Sequence, residues 1–245
     1  MLKRISPSVA ASPGGFKLHI PDGYLSPQTY VPLWGVSLAF WSVSLKKVKK
    51  EVSTKQVPYL AMAAAFSFLI MMFNVPVPGG TTGHAVGAGI IALFLGPWTA
   101  VIAVSVVLIL QAIVFGDGGI TAIGANCFNM AVIMPFVSYG MFKLINGKTG
   151  SGTRTSLAAF FSGYVGLSVA AIVTAVEFGI QPLIASSPDG RPLYAPYPLS
   201  IAVPAMALEH LLLFSIIEGV VTVLLLRYFL KNEPAQIYAL RVKEG

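Results

Sequence analysis

Three histidines, His19, His84 and His210, are the strongest metal-coordinating side chains in this sequence, which has a single cysteine, Cys127. One cysteine excludes an intramolecular disulfide and any multi-thiolate cluster within the chain. A transition metal held here must therefore be bound by nitrogen or oxygen. His19 stands in "LHIPDGYLSP" (residues 18–27) and His84 closes "PVPGGTTGH" (residues 76–84), each a short polar stretch beside a long apolar run. For one histidine a hydrogen-bonded structural role is the default; two on the same rim of a protein this poor in histidine make ligation competitive. Pro21 fixes the backbone after His19, and glycines loosen the chain around His84, which suits convergence of the two imidazoles.

The remaining polar residues have plainer readings. His210 lies inside "MALEHLLLFSIIEG", beside Glu209 and eight residues ahead of Glu218. Ionisable groups within a span are costly and usually face a bundle interior, so an interhelical polar contact is expected of His210 ahead of ligation. Glu177, near the outer end of its run, fits an interfacial group as well as a polar contact within the bundle. "FGDGG" (residues 115–119) has the glycines of a phosphate loop but neither its lysine nor its strand-to-helix context. It reads as a packed outer loop, with Asp117, Asn126 and Asn129 as buttresses for a site.

The elements that must position these residues are membrane helices. The chain is 56% hydrophobic and 10% charged, with a mean hydropathy of +0.78, whereas soluble domains carry about 25% charged residues. Long apolar runs cover about 30–45, 57–75, 97–115, 127–145, 156–179 and 200–230, and a shorter, glycine-rich seventh covers about 84–96, where Pro97 must end it. With seven spans, Lys46, Lys47, Lys49, Lys50, Lys55, Lys143, Lys148, Arg154, Arg227, Lys231, Arg241 and Lys243 fall on one side, twelve of the sixteen basic residues. That side is cytoplasmic by the positive-inside rule. A six-span count would put the basic 143–154 loop outside. The formal charge of +7 is thus topological and excludes a nucleic-acid footprint. The expected fold is an all-α, polytopic helical bundle with its N-terminus outside, its C-terminus cytoplasmic and its polar chemistry gathered on the outer face. Ala61 with Ala65, and Gly35 with Ala39, have the small-xxx-small spacing that lets helices approach closely, either a partner's docking surface or internal packing. Neither a tandem repeat nor a Walker A motif occurs, so any ATPase is a separate polypeptide.

These residues resemble a known family. "HIPDGYLSP", "PGGTTGHAVGAGIIALFLGPW" (78–98), "VLILQAIVFGDGGITAIGANCFNMA" (107–131) and "EHLLLFSIIEG" (209–219) look like the cobalt/nickel substrate-binding component of energy-coupling-factor transporters, the CbiM/NikM family. The resemblance runs from residue 18 to about 230. It implies capture of Co(II) or Ni(II) at the outer face of a prokaryotic plasma membrane, as transported substrate and with no organic cofactor. It also implies a transmembrane coupling subunit, cytoplasmic ATPase subunits and a small accessory membrane subunit as partners. In the family the chain begins Met-His, and the ion sits in a nearly planar set of nitrogens: the terminal amine, the backbone nitrogen and ring of the second-position histidine, and a loop histidine. Carried over, the two histidines match His19 and His84, and the amine matches the nitrogen of Leu18. A planar nitrogen field suits Ni(II) and disfavours zinc, which prefers a tetrahedron. Ligating imidazoles need partners for their other nitrogen, for which Asp22 and Asp117 are candidates.

One departure concerns residues 1–17, "MLKRISPSVAASPGGFK", which precede the motif and put Leu18 where the family has methionine. The stretch has no apolar core long enough for a signal segment. The expectation is a true start at position 18, where a leucine-type codon initiates as methionine; a real tail with altered ligation is the alternative. The chain accordingly divides into an extension (1–17), a metal-binding membrane domain (18–231) and a short cytoplasmic tail (232–245). Two other functions fit parts of the pattern. A membrane metalloenzyme using His19, His84 and a span carboxylate such as Glu209 lacks a general base, and a purely structural subunit would leave the histidines to packing.

Overall fold

The computed structural model describes residues 18–53, 56–77, 81–147, 152–234 and 237–240. The extension, with Lys3, Arg4 and Lys17, lies outside the described residues, as do Lys55, Lys148, Arg241 and Lys243. Among the described residues seven helices form the bundle: α1 (Pro27–Glu51), α2 (Val57–Met72), α3 (Ala88–Leu95), α4 (Pro97–Phe115), α5 (Ile123–Asn146), α6 (Gly152–Ile184, with a turn at Ile180) and α7 (Leu199–Asn232). Proline sets several of the starts. Pro27 and Pro97 occupy the first helical position, where the missing amide costs nothing. Gly96, with φ of +91°, makes the break between α3 and α4 that Pro97 demands.

The protein is a multi-pass membrane bundle. Four helices, α4 to α7, are long and apolar enough to cross a bilayer on length and composition alone, and Leu69, Ile113, Leu212 and Leu224 leave more than half of their surface exposed. Leucine and isoleucine exposed in this way face lipid. Direction alternates along the chain, so Lys47, Lys143, Arg154 and Arg227 share one end, where Lys47 Nζ sits 4.2 Å from the Trp98 ring centroid. The segments 18–26, 83–87, 116–122 and 185–198 share the other.

Small residues let the central helices touch. A Cβ on Gly163 would meet Thr222 Oγ1 at 2.6 Å and the Glu218 carbonyl oxygen at 2.8 Å, and one on Gly124 would meet the α1 backbone at Trp34, 2.6 Å away. The Ser37 hydroxyl donates to the Gly124 carbonyl across that contact, at 2.7 Å. Gly35, Ala39, Ala61 and Ala65, by contrast, are exposed on α1 and α2, so their small-residue spacing does not serve packing within the chain. One element departs from the all-helical expectation: the stretch read as a loop before His84 forms a hairpin, β1 (Val75–Val77) pairing antiparallel with β2 (Thr81–Gly83). β-Branched residues on both sides of Pro-Gly-Gly favour that hairpin over irregular chain.

Candidate metal centre

The segment from Leu18 to Ser26 is stitched into the outer end of the bundle by its backbone. The Ile20 N–H donates to Asn126 Oδ1 (2.8 Å), and its carbonyl accepts from the Gly119 N–H (2.8 Å) and Asn126 Nδ2 (3.1 Å). Two residues on, the Asp22 carboxylate accepts from the Ile120 N–H (3.0 Å), the Thr121 N–H (2.8 Å) and the Thr121 hydroxyl. The Tyr24 carbonyl accepts from the Ala195 N–H, and the Ser26 N–H donates to Gln181 Oε1 (2.9 Å). Leu18, His19, Ile20, Leu25 and Ser26 are all buried as a result. Gly118, with φ of +91°, lets the 116–119 loop turn beneath this segment.

Burial acts to raise the Asp22 carboxyl, but the bonds from the Thr121 hydroxyl and from the Thr121 and Ile120 amides outweigh it and hold the group below its ordinary value. Asp22 is thus a clasp between the N-terminal segment and the 116–122 loop. Its contribution is complete above the unfolded carboxylate value of about 4 and is lost as pH falls through the lowered folded value. Asp22→Asn is expected to cost about 1 kcal/mol near neutral pH, as a lower midpoint of thermal unfolding in detergent. The difference from the unaltered chain should shrink on acidification.

His19 and His84 meet at the centre of this construction. They are 3% and 4% exposed, and their rings stand at 82° with centroids 4.8 Å apart. Two imidazoles bound at right angles to one ion have centroids about 4.5 Å apart when the metal–nitrogen bonds are about 2.0 Å; on opposite sides of the ion they would lie over 6 Å apart. The observed pair suits adjacent positions on a single ion. His84 Nδ1 lies 3.0 Å from the Ala85 carbonyl oxygen, and a carbonyl can only accept. The Nδ1 therefore holds the hydrogen and Nε2 presents its lone pair. His19 Nδ1 lies 3.2 Å from Asp117 Oδ2 without the alignment of a hydrogen bond. Among the described residues no third histidine, cysteine, aspartate or glutamate completes a metal-binding group. The side chains brought together here therefore offer two imidazoles as candidate nitrogen donors.

The other candidate residues divide. Asp117 and Asn126 stand at the pair, the first beside the His19 ring and the second on the Ile20 backbone. Asp22 touches neither imidazole and instead ties the loop. Asn129 lies on α5 away from the histidines, donating to Thr174 Oγ1 (3.0 Å) and Glu177 Oε2 (2.8 Å). Of the two readings open for Glu177, the buried one holds: it sits within that network rather than at the interface. His210 donates from Nδ1 to the Met206 carbonyl of its own helix, at 2.9 Å, in place of the interhelical bond expected of it. Two participants had not been singled out for this role, Gln181 at Ser26 and Glu218 at the start of α3.

Comparison with known proteins identifies the family of the chain. The description "Cobalt uptake substrate-specific transmembrane region" matches residues 19–236. The fused nickel transport protein NikMN of Rhodobacter capsulatus is 51% identical over 218 residues, 89% of this chain; the chain spans 63% of that relative's length. The cobalt transport protein CbiM of Ruminiclostridium cellulolyticum is 36% identical over 66% of this chain and 65% of its own. A crystal structure of a truncated transition metal transporter superposes with a TM-score of 0.83 at 48% identity, covering 87% of this chain and 98% of that one. A seven-helix bundle with paired histidines tied into its outer end, matched along nearly its whole membrane part, places this chain in the family of cobalt uptake substrate-specific transmembrane regions.

Proposed function

We propose that the chain is the substrate-capture membrane component of an ATP-driven importer for a divalent transition metal, Co(II) or Ni(II). The observation that carries this reading is the right-angled His19–His84 pair, 4.8 Å between centroids, buried at the outer end of the bundle. Imidazole nitrogen suits both metals. Relatives named for nickel and for cobalt transport support the same pair of substrates. Backbone nitrogens of Leu18 and His19 complete a nearly planar donor set, and zinc, which prefers a tetrahedron, is disfavoured. The sequence has no phosphate-binding loop, so ATP hydrolysis belongs to partner subunits, coupled through a second membrane protein. Their work cycle opens the 116–122 loop and the 18–26 segment and releases the ion inward.

Uptake of radioactive nickel and cobalt by cells carrying this chain with coupling and ATPase subunits tests the proposal. His19→Ala and His84→Ala should each reduce uptake to background while the chain remains inserted, and so should a hydrolysis-dead ATPase. Uptake that survives both histidine substitutions would sink the assignment.

A further inference from the structure

Helix α3 begins without a side-chain cap: Gly87 precedes it with φ of +76° and no side chain to accept from the first amides. The first N–H groups of a helix need acceptors, and within a bilayer water does not supply them. Glu218 on α7, with no exposed surface, does so. Its Oε2 accepts from the Val86 N–H at 2.8 Å, and its two oxygens accept from the Gly87 N–H at 3.0 and 3.1 Å. The Gly89 amide faces the same carboxylate. On the other side, the Ser67 hydroxyl of α2 donates to the Val86 carbonyl at 2.8 Å. The chain leading out of His84 is pinned from both flanks.

The Val86 N–H and the Ala85 carbonyl belong to one planar peptide unit. The Ala85 carbonyl is the group that accepts from His84 Nδ1. A continuous path therefore runs from the Glu218 carboxylate, through a single rigid amide, to the imidazole. Carboxylates that hydrogen-bond a ligating histidine fix its tautomer and raise the basicity of its other nitrogen, and hydrogen bonds in series polarise one another. We propose that Glu218 is a positioning residue for the metal centre, acting on His84 Nε2 through the Ala85–Val86 peptide. The inference rests on His84 being a ligand. It gives a role to a buried carboxylate 132 residues away in sequence that touches neither the ion nor either imidazole.

The test compares the full chain with Glu218→Gln and Glu218→Asp in detergent, by Ni(II) and Co(II) titration and by the absorption spectrum of the bound ion. Glutamine keeps the volume but one of its two acceptors becomes a donor, which faces the amide hydrogens and turns the peptide. Glu218→Gln should weaken affinity by about 10-fold and shift the ligand-field band. Glu218→Asp should fall between, and Thr222→Val, one turn further along α7, should bind like the unaltered chain. Unchanged affinity and spectrum in Glu218→Gln, with binding abolished by His84→Ala, overturns the relay alone. Binding that survives His84→Ala overturns the metal reading, and amide exchange in the metal-free chain then judges Glu218. Faster exchange at residues 84–90 in Glu218→Gln supports its positioning of that peptide, and unchanged exchange overturns it.

Discussion

Replacing Gly119 by alanine is expected to remove most of the metal capture, although residue 119 offers no donor to an ion. A Cβ there would lie 2.6 Å from Asp22 Oδ1 and 2.7 Å from the Pro21 carbonyl carbon, with the Asp22 amide nitrogen closer still. Two of these three atoms, the nearest included, are backbone of the N-terminal segment, which cannot swing aside as a flexible side chain would. The Gly119 N–H also donates to Ile20, so moving the loop away breaks the bond that holds the residue after His19. Overpacking of this kind costs about 1–3 kcal/mol, and here the displacement falls on the segment that carries His19, a proposed ligand. Metal centres tolerate little misplacement, because a donor shifted by a few tenths of an ångström leaves the coordination sphere. Ni(II) titration should show affinity falling by more than about 10-fold, with a lower unfolding midpoint. Gly35→Ala, on exposed helix with nothing within 4 Å of the new methyl, should change stability by less than about 0.5 kcal/mol. If both alanines behaved alike, close packing of the 116–119 loop on Pro21 and Asp22 would not matter to the site.

Much of the bundle was legible because a bilayer imposes few alternatives. Apolar length marked the helices. The short seventh run was recovered because Lys143 and Arg154 had to share a side with Lys46–Lys50, and it became α3, bounded where Pro97 required. Helix ends reached further into polar sequence than the apolar runs did: α1 continues through its lysines to Glu51 and α5 starts at Ile123, since hydropathy registers lipid contact and not hydrogen bonding. The hairpin before His84 was missed because three-residue strands leave no periodicity to read. At the candidate site, His19 and His84 stood out by residue type and by their setting, two polar stretches with Pro21 and glycines on one rim. What did not stand out is held by backbone: the Ile20 amide and carbonyl on Asn126, and the Val86 and Gly87 amides on Glu218. A peptide N–H has no sequence signature. The one available signal for Glu218 was the coincidence of an acid inside a span with a glycine-initiated helix lacking any capping side chain. Asn129 looked like a neighbour of Asn126, yet their side chains serve different contacts, Ile20 for one and Glu177 for the other.

A chain that opens at position 18 as methionine should bind Ni(II) far more tightly than one that retains residues 1–17. In the proposed site the two imidazoles provide two nitrogens, and a planar set would need more from the Leu18–His19 backbone. A free amine offers its lone pair near neutral pH, whereas an amide nitrogen, with its lone pair delocalised into the carbonyl, must first lose a proton. An amine at position 18 therefore adds a donor and closes a second chelate ring through the His19 nitrogen. Changing a mere partner of a ligand typically costs 10–100-fold in affinity, and losing a donor together with its ring should cost at least about 100-fold. Leu18 is 1% exposed and packs in the core beside Ile20, so methionine, similar in volume and more adaptable, should be accepted there at little cost. The comparison is made on the two purified chains, each verified by intact mass, by competition for Ni(II) against a chelator and by counting bound metal. Tight binding by the shorter chain alone assigns the terminal amine as a ligand. Equal binding by both would remove the amine from the donor set and require the remaining nitrogen or oxygen to come from elsewhere, with Asp117, 3.2 Å from the His19 ring, the first group to substitute.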